Sequence, residues 1–158
     1  MNIFVVDTDP VVAAQSLHDR HVVKMVLETT QLLCTVAHQH GIAAPYKPTH
    51  AKHPCTVWAG ATWQNCTWLW LHGTALCAEY TRRFGKTHAC EPVIRDLRRL
   101  LTDCDLDPSG QTPFAQVVPP DCAGTDTVEA YRLAYRRHKL PGNRYTRREM
   151  PAWAGEPC

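Results

Sequence analysis

Ser16-Leu-His-Asp-Arg-His-Val-Val-Lys-Met-Val-Leu-Glu28 decides the fold class of this chain. From Leu17 to Leu33 apolar residues occupy almost every side of a helix, the pattern of an element enclosed by a core rather than laid on a surface. Through that helix run His18, Asp19, His21, Lys24 and Glu28. His21, Lys24, Glu28 and Gln31 recur at intervals of three, four and three residues, so they form one polar stripe. Lys and Glu are almost never fully buried unless paired. The stripe is therefore either a structural ion pair with a histidine one turn away, or the lining of a cleft where chemistry is done.

Working outward, Asp9 suits a helix N-cap and Pro10 the first helical position, so a long helix is predicted from Pro10 to about His40, ended by Gly41. A second pattern runs from about Cys55 to Phe84, closed by Gly85 and carrying Trp58, Trp63, Trp68 and Trp70, most of which belong in a core. Shorter helices are predicted over Glu91 to Leu101 and Thr127 to His138. Ile3 to Val6 reads as a short β-strand. The expectation is a mainly α, single-domain helical bundle over 1–158, with a short N-terminal strand and a basic, turn-rich tail from about 139 to 158.

At 158 residues the chain suits one domain that buries roughly two thirds of its unfolded surface. It is 44% hydrophobic and 20% charged, without an apolar run near the roughly 18 residues of a membrane span. The first residues lack the basic region of a secretory signal, so a soluble cytoplasmic protein is expected. Eight cysteines stand at 34, 55, 66, 77, 90, 104, 122 and 158, none in a Cys-x-x-Cys pair. That spacing speaks against a zinc ribbon or thioredoxin-like site and for reduced thiols packed as small hydrophobes. Cys55, Cys66 and Cys77, eleven apart, would share one helix face.

Two chemistries compete for the stripe. His18 with His21, and His50 with His53 in the proline-rich loop Ile42 to Pro54, offer four imidazoles to one ion, which suits a divalent transition metal such as zinc or iron. An incomplete coordination sphere would leave an activated water, with Glu28 or Asp19 as base. The His18-Asp19 dipeptide is that of metal phosphohydrolases, but no histidine precedes it as their order requires. Asp7 and Asp9 after the presumed strand lack the later Gly-rich or Lys motif of a phosphotransferase. The metal-free alternative makes Lys24 a nucleophile: desolvated among Val22, Val23, Met25 and Val26, its amine would attack a carbonyl or a sugar C1′, with Glu28 as proton partner.

Charge points to a partner. The net charge of +2 is weak, but Arg132, Arg136, Arg137, Lys139, Arg144, Arg147 and Arg148 follow one another with tyrosines interleaved. Basic residues mixed with aromatics can track a phosphate backbone and stack on bases, so Lys47, Arg136, Arg137, Arg147 and Arg148 are the candidate substrate-binding residues. A solvated helix face is the plainer reading of the same run.

Met1-Asn-Ile-Phe-Val-Val-Asp-Thr-Asp-Pro10, His21-Val-Val-Lys-Met25, Lys47-Pro-Thr-His50 with His53-Pro-Cys55, Thr112-Pro-Phe-Ala-Gln116 and Glu129-Ala-Tyr-Arg132 together resemble an uncharacterised family of small proteins encoded by bacteriophages and some bacteria. The resemblance spans Met1 to about Tyr135. It brings no catalytic residue or cofactor; it implies a setting in which small enzymes act on nucleotides or DNA. The reading that results is an enzyme acting on a nucleotide or nucleic-acid base, with His21, Lys24, Glu28 and Asp19 doing proton transfer or nucleophilic work, and His18, His50 and His53 holding metal or phosphate. Its rival is a non-catalytic nucleic-acid-binding or host-interaction module in which the stripe is a buried ion network.

Overall fold

A computed structural model describes residues 1–155 and consists of six α-helices: α1 (Pro10–Gln15), α2 (Asp19–Gln39), α3 (Pro54–Ala59), α4 (Trp63–Phe84), α5 (Glu91–Thr102) and α6 (Thr127–His138). Helices α2 and α4 form the centre; α1 packs on α4, α3 on α2 and α4, and α5 on both central helices. Leu32, Leu33, Val36, Leu69 and Leu76 are fully enclosed between them. Each such side chain contributes about 1.5–3 kcal/mol of burial. Gly73 on α4 allows the closest approach: a Cβ there would stand 2.7 Å from Thr29 Cγ2 on α2.

Both long helices predicted from sequence are broken once. The first is interrupted at Ser16–His18, where Arg83 draws the carbonyls of Gln15 and Leu17 to itself. There His18 restarts the chain as N-cap of α2, its ring Nδ1 accepting from the His21 N–H at 3.3 Å. The second is interrupted between Ala59 and Trp63, where Thr62 caps α4 by accepting from the Asn65 N–H. Cys55 is thus on a different helix from Cys66 and Cys77, and the three do not share one helix face, although all are buried. The seven described cysteines are free thiols in the interior, and Cys158 lies outside the described residues. Asp9 caps α1 as expected, accepting from Val11 and Val12, and Gly85 ends α4 at a φ of 65°.

Ile3 to Val6 is buried but is not a strand. Among the described residues no strand partners it, the only β-type pairing being an isolated bridge between Thr62 and Asp107. Its main chain is held instead by the Asn2 side chain, whose Oδ1 accepts from the N–H groups of Ile3 and Phe4, and Phe4 takes a left-handed φ of 42°. The apolar character of the run serves the core, not a sheet.

Candidate active site

The N-terminal residues and the polar stripe of α2 meet. Asn2 Nδ2 donates to the Val117 carbonyl at 2.8 Å, while the Asn2 main-chain N–H donates to Glu28 Oε2 at 2.9 Å. The Met1 ammonium is 3.8 Å from the same oxygen, and Lys24 Nζ is 3.2 Å from Glu28 Oε1. These groups line one cleft of about 370 Å³, together with Phe4, His21, Met25, Val117–Pro119, Tyr131, Ala134 and Lys139. Glu28 is its single acid, set against Lys24, Lys139 and the N-terminal amine, so the cleft favours an anionic ligand.

One wall is a stack of rings. Phe4 lies on His21 with centroids 4.2 Å apart, and His21 lies on His18 at 4.0 Å. Tyr135, fully buried on α6, accepts the His18 main-chain N–H at 3.0 Å and bonds His21 Nδ1 at 2.9 Å. A buried hydroxyl proton needs an acceptor, and His21 Nδ1 is the one present, so His21 carries its own proton on Nε2. Burial pushes His21 down to about 3, helped by the neighbouring His18, Lys139 and Lys24; burial likewise takes His18 to about 4. Both rings are neutral at physiological pH. His21 Nε2, free of any hydrogen bond among the described residues, is a neutral donor at the cleft wall.

The other wall is the segment after residue 111. Thr112 is fixed by Asn65, with its N–H donating to Asn65 Oδ1 at 3.0 Å. Tyr131 Oη accepts from the Val117 N–H and donates to the Ala115 carbonyl. Tyr131 and Tyr135 are one turn apart on α6, so that helix secures both walls.

Of the residues singled out from sequence, the cleft brings together His21, Lys24 and Glu28. Lys24 is not desolvated: its side chain is 65% exposed at the cleft mouth. Asp19 points elsewhere. Burial alone would raise its pKa, but hydrogen bonds from Thr146 and Arg83 hold the carboxyl below the usual range, and it belongs to a network around Arg83. Lys47 stands exposed on the loop after α2, outside the cleft lining. Arg136 reaches the Trp153 carbonyl, Arg137 pairs with Asp121, and Arg148 pairs with Glu79, so these three are engaged in the fold. Arg147 is exposed.

The four histidines do not converge. Their Nδ1 atoms serve the fold: His18 caps α2, His21 meets Tyr135, His50 meets Thr49 Oγ1, and His53 accepts from the Cys55 N–H. Among the described residues the one set of three potential ligand atoms lying within 4.8 Å of one another is Asp121, Cys122 and His138, where Arg137 already sits on the carboxylate. His53 does feel the N-terminal amine and Glu28: burial and the amine lower its pKa while Glu28 opposes them. The parts missed in the sequence reading are the main-chain nitrogens of Met1 and Asn2, Phe4, and the two tyrosines. The single signal for them was the interleaving of Tyr131 and Tyr135 with basic residues.

No helix among the described residues is long and apolar enough to cross a membrane. A family model described as pyrimidine dimer DNA glycosylase matches residues 1–92, more than half of the chain, a span that includes Met1, Asn2, His21, Lys24 and Glu28. No curated protein and no solved structure matches.

Proposed function

The chain belongs to the pyrimidine dimer DNA glycosylase family, and from that premise we propose that it breaks the glycosidic bond of a dimerised pyrimidine in DNA through an amine nucleophile at its N-terminus, with Glu28 as the proton-handling group. The observation that carries this reading is the convergence of the first two main-chain nitrogens on the buried carboxylate of Glu28, inside a cleft that is otherwise cationic. Base removal needs a nucleophile at C1′ and a partner for protons. In the proposed step the free amine attacks C1′, and the C1′–N bond breaks with its electron pair going to the base. Glu28 takes the proton the amine loses and passes it to O4′ as the C1′–O4′ bond breaks, the second amine proton goes to the departed base, and the open-chain imine that remains is hydrolysed by water. Lys24 and Lys139 flank the path of the phosphates, and His21 Nε2–H donates to the departing base or the sugar.

Two amines lie beside Glu28, and chemistry separates them. α-Amines as a class are weaker bases than lysine side chains by roughly 2.5 pH units, so far more of an α-amine is in its reactive free form at neutral pH. Lys24 also keeps most of its hydration. The N-terminal amine is therefore the assigned nucleophile. The Asn2 nitrogen is the closer of the first two to Glu28, 2.9 Å against 3.8 Å, so a chain starting at Asn2 would place its amine in direct contact with the carboxylate.

The test is borohydride trapping with a duplex oligonucleotide containing one pyrimidine dimer, followed by peptide mapping and intact mass. The expected adduct is on the N-terminal peptide, and Glu28→Gln lowers single-turnover glycosidic cleavage by about 10²–10⁴-fold while unfolding free energy changes by less than about 1.5 kcal/mol. An adduct on Lys24 would transfer the nucleophile to that residue. A folded protein that cleaves no glycosidic bond and traps no DNA would remove the glycosylase reading and leave the nucleic-acid-binding module.

A further inference from the structure

The C-terminal tail is held to the bundle by two carboxylates. Asp19 accepts from the Thr146 N–H at 3.0 Å and the Thr146 hydroxyl at 2.7 Å, and Glu79 accepts from Arg148 Nη2 at 2.8 Å. Both carboxylates are fixed by the buried Arg83. Arg147, between the two clamped residues, is forced into a left-handed φ of 55°, a conformation that disfavours L-residues other than Gly and Asn and that recurs where surrounding structure enforces it for function. The result is an exposed guanidinium beside Arg82 in the last turn of α4, both lining a cleft of about 460 Å³ shared with Arg148 and Glu149. Among the described residues neither Arg82 nor Arg147 has an acidic partner, Glu149 included, whereas Arg148 is satisfied by Glu79. A cation at a helix C-terminus accounts for Arg82 alone; it does not account for a strained Arg147 aimed into the same space.

We propose that Arg82 and Arg147 form a phosphodiester-binding site, separate from the Glu28 cleft, that grips one backbone phosphate of the DNA. The proposal rests on the glycosylase reading for its choice of DNA as ligand. The ligand chemistry follows from the donors: two guanidinium forks, one on a rigid helix and one on a clamped bend, match the oxygens of a single phosphate. Arg82 lies within the residues of the family match and Arg147 outside them, so the tail supplies one of the two guanidinium groups.

Fluorescence anisotropy of a labelled undamaged duplex, titrated from low to moderate salt, tests it. Neutralising one phosphate contributes about 0.9 to the slope of log affinity against log salt. Arg82→Gln and Arg147→Gln are each expected to lower the slope by about that amount and to weaken binding about 5–10-fold. The double variant should add little, because both grip the same phosphate, and Arg99→Gln, the same charge change on α5, should leave binding unchanged. Arg147→Gly separates structure from binding: it relieves the strained φ and should raise Tm while affinity falls. Glycosidic cleavage of saturating dimer-containing duplex should be unaltered in Arg99→Gln. Wild-type affinity and slope in the double variant would overturn the proposal, as would full displacement of the duplex by low-millimolar inorganic phosphate at constant ionic strength, which would mark a free-anion site. Loss of slope in the variants of a protein that cleaves no glycosidic bond would keep this site and remove only the glycosylase reading.

Discussion

Replacing Arg83 with Met removes the most connected charge in the molecule while keeping most of its volume. The guanidinium is fully enclosed and makes four hydrogen bonds: Nε to Glu79 Oε1 at 2.7 Å, Nη1 to Asp19 Oδ1 at 3.0 Å, and Nη1 and Nη2 to the carbonyls of Leu17 and Gln15 at 2.8 and 3.0 Å. Without it Glu79 keeps only Arg148, Asp19 keeps only Thr146, and two carbonyls at the α1–α2 break lose their donors. Breaking a buried pair from one side costs about 3–5 kcal/mol. At roughly 2–4 °C per kcal/mol for a chain of this size, about 4 kcal/mol corresponds to a fall in Tm of about 8–16 °C. Urea unfolding followed by circular dichroism at pH 7 measures the loss directly. The carboxyls of Asp19 and Glu79 supply a second signature. Burial alone would raise both, but hydrogen bonds and the arginine charges hold them below the usual range, so their stabilisation is present above about pH 4 and is lost as pH falls through their folded values. Arg83→Met should flatten that acid limb. A loss below about 1 kcal/mol with an unchanged acid limb would refute the view that this arginine organises the junction.

Gly73→Ala drives a methyl to 2.7 Å from Thr29 Cγ2 in the core and should destabilise by about 1–3 kcal/mol, with Thr29→Ala in the same chain restoring part of the loss in a double-mutant cycle. Tyr135→Phe leaves the His18 N–H buried without its acceptor and should cost about 1–3 kcal/mol, read by thermal unfolding; a neutral result would detach Tyr135 from the ring stack. His18, His21 and His72 are held neutral by burial, to about 4, 3 and 3. Depressed values mean the unfolded chain binds more protons below pH 6.5, so stability is full above that pH and declines on acidification toward pH 4, by up to about 1.4 kcal/mol per unit for each ring. Unfolding free energies that stay level from pH 7 to pH 5 would contradict it.

Helix content and the polar stripe were legible because periodicity is local: α5 and α6 begin at Glu91 and Thr127 as the pattern indicated, with Asp126 capping α6 by an ordinary carboxylate. The breaks were hidden for different reasons. Thr62 followed by Asn65 after Gly60 is a readable start signal that the continuous run of tryptophans overshadowed, whereas His18 capping through an imidazole has no place among the usual cap residues. The missing strand reflects a side chain, Asn2, satisfying main-chain donors that a strand partner would otherwise take. Long-range partners were invisible. Nothing near Arg148 in sequence indicates Glu79, and nothing near Glu28 indicates that the first two residues return to it across the fold. The basic tail was therefore legible as charge but not as assignment: Arg132, Arg136, Arg137 and Arg148 are engaged in the fold, Lys139 lines the Glu28 cleft, and Arg144 and Arg147 are exposed at the surface.

The enclosure of Met1 against Glu28 governs how the protein should be handled at the bench. Any purification handle joined ahead of Met1 must leave through the same cleft that holds Glu28 and Lys24, and a protease scar of one or two residues would displace the Asn2 contact. An inactive preparation carrying such an extension would report on the extension, so affinity tags belong at the opposite terminus, and the mass of the first peptide is a property to verify before any rate is quoted.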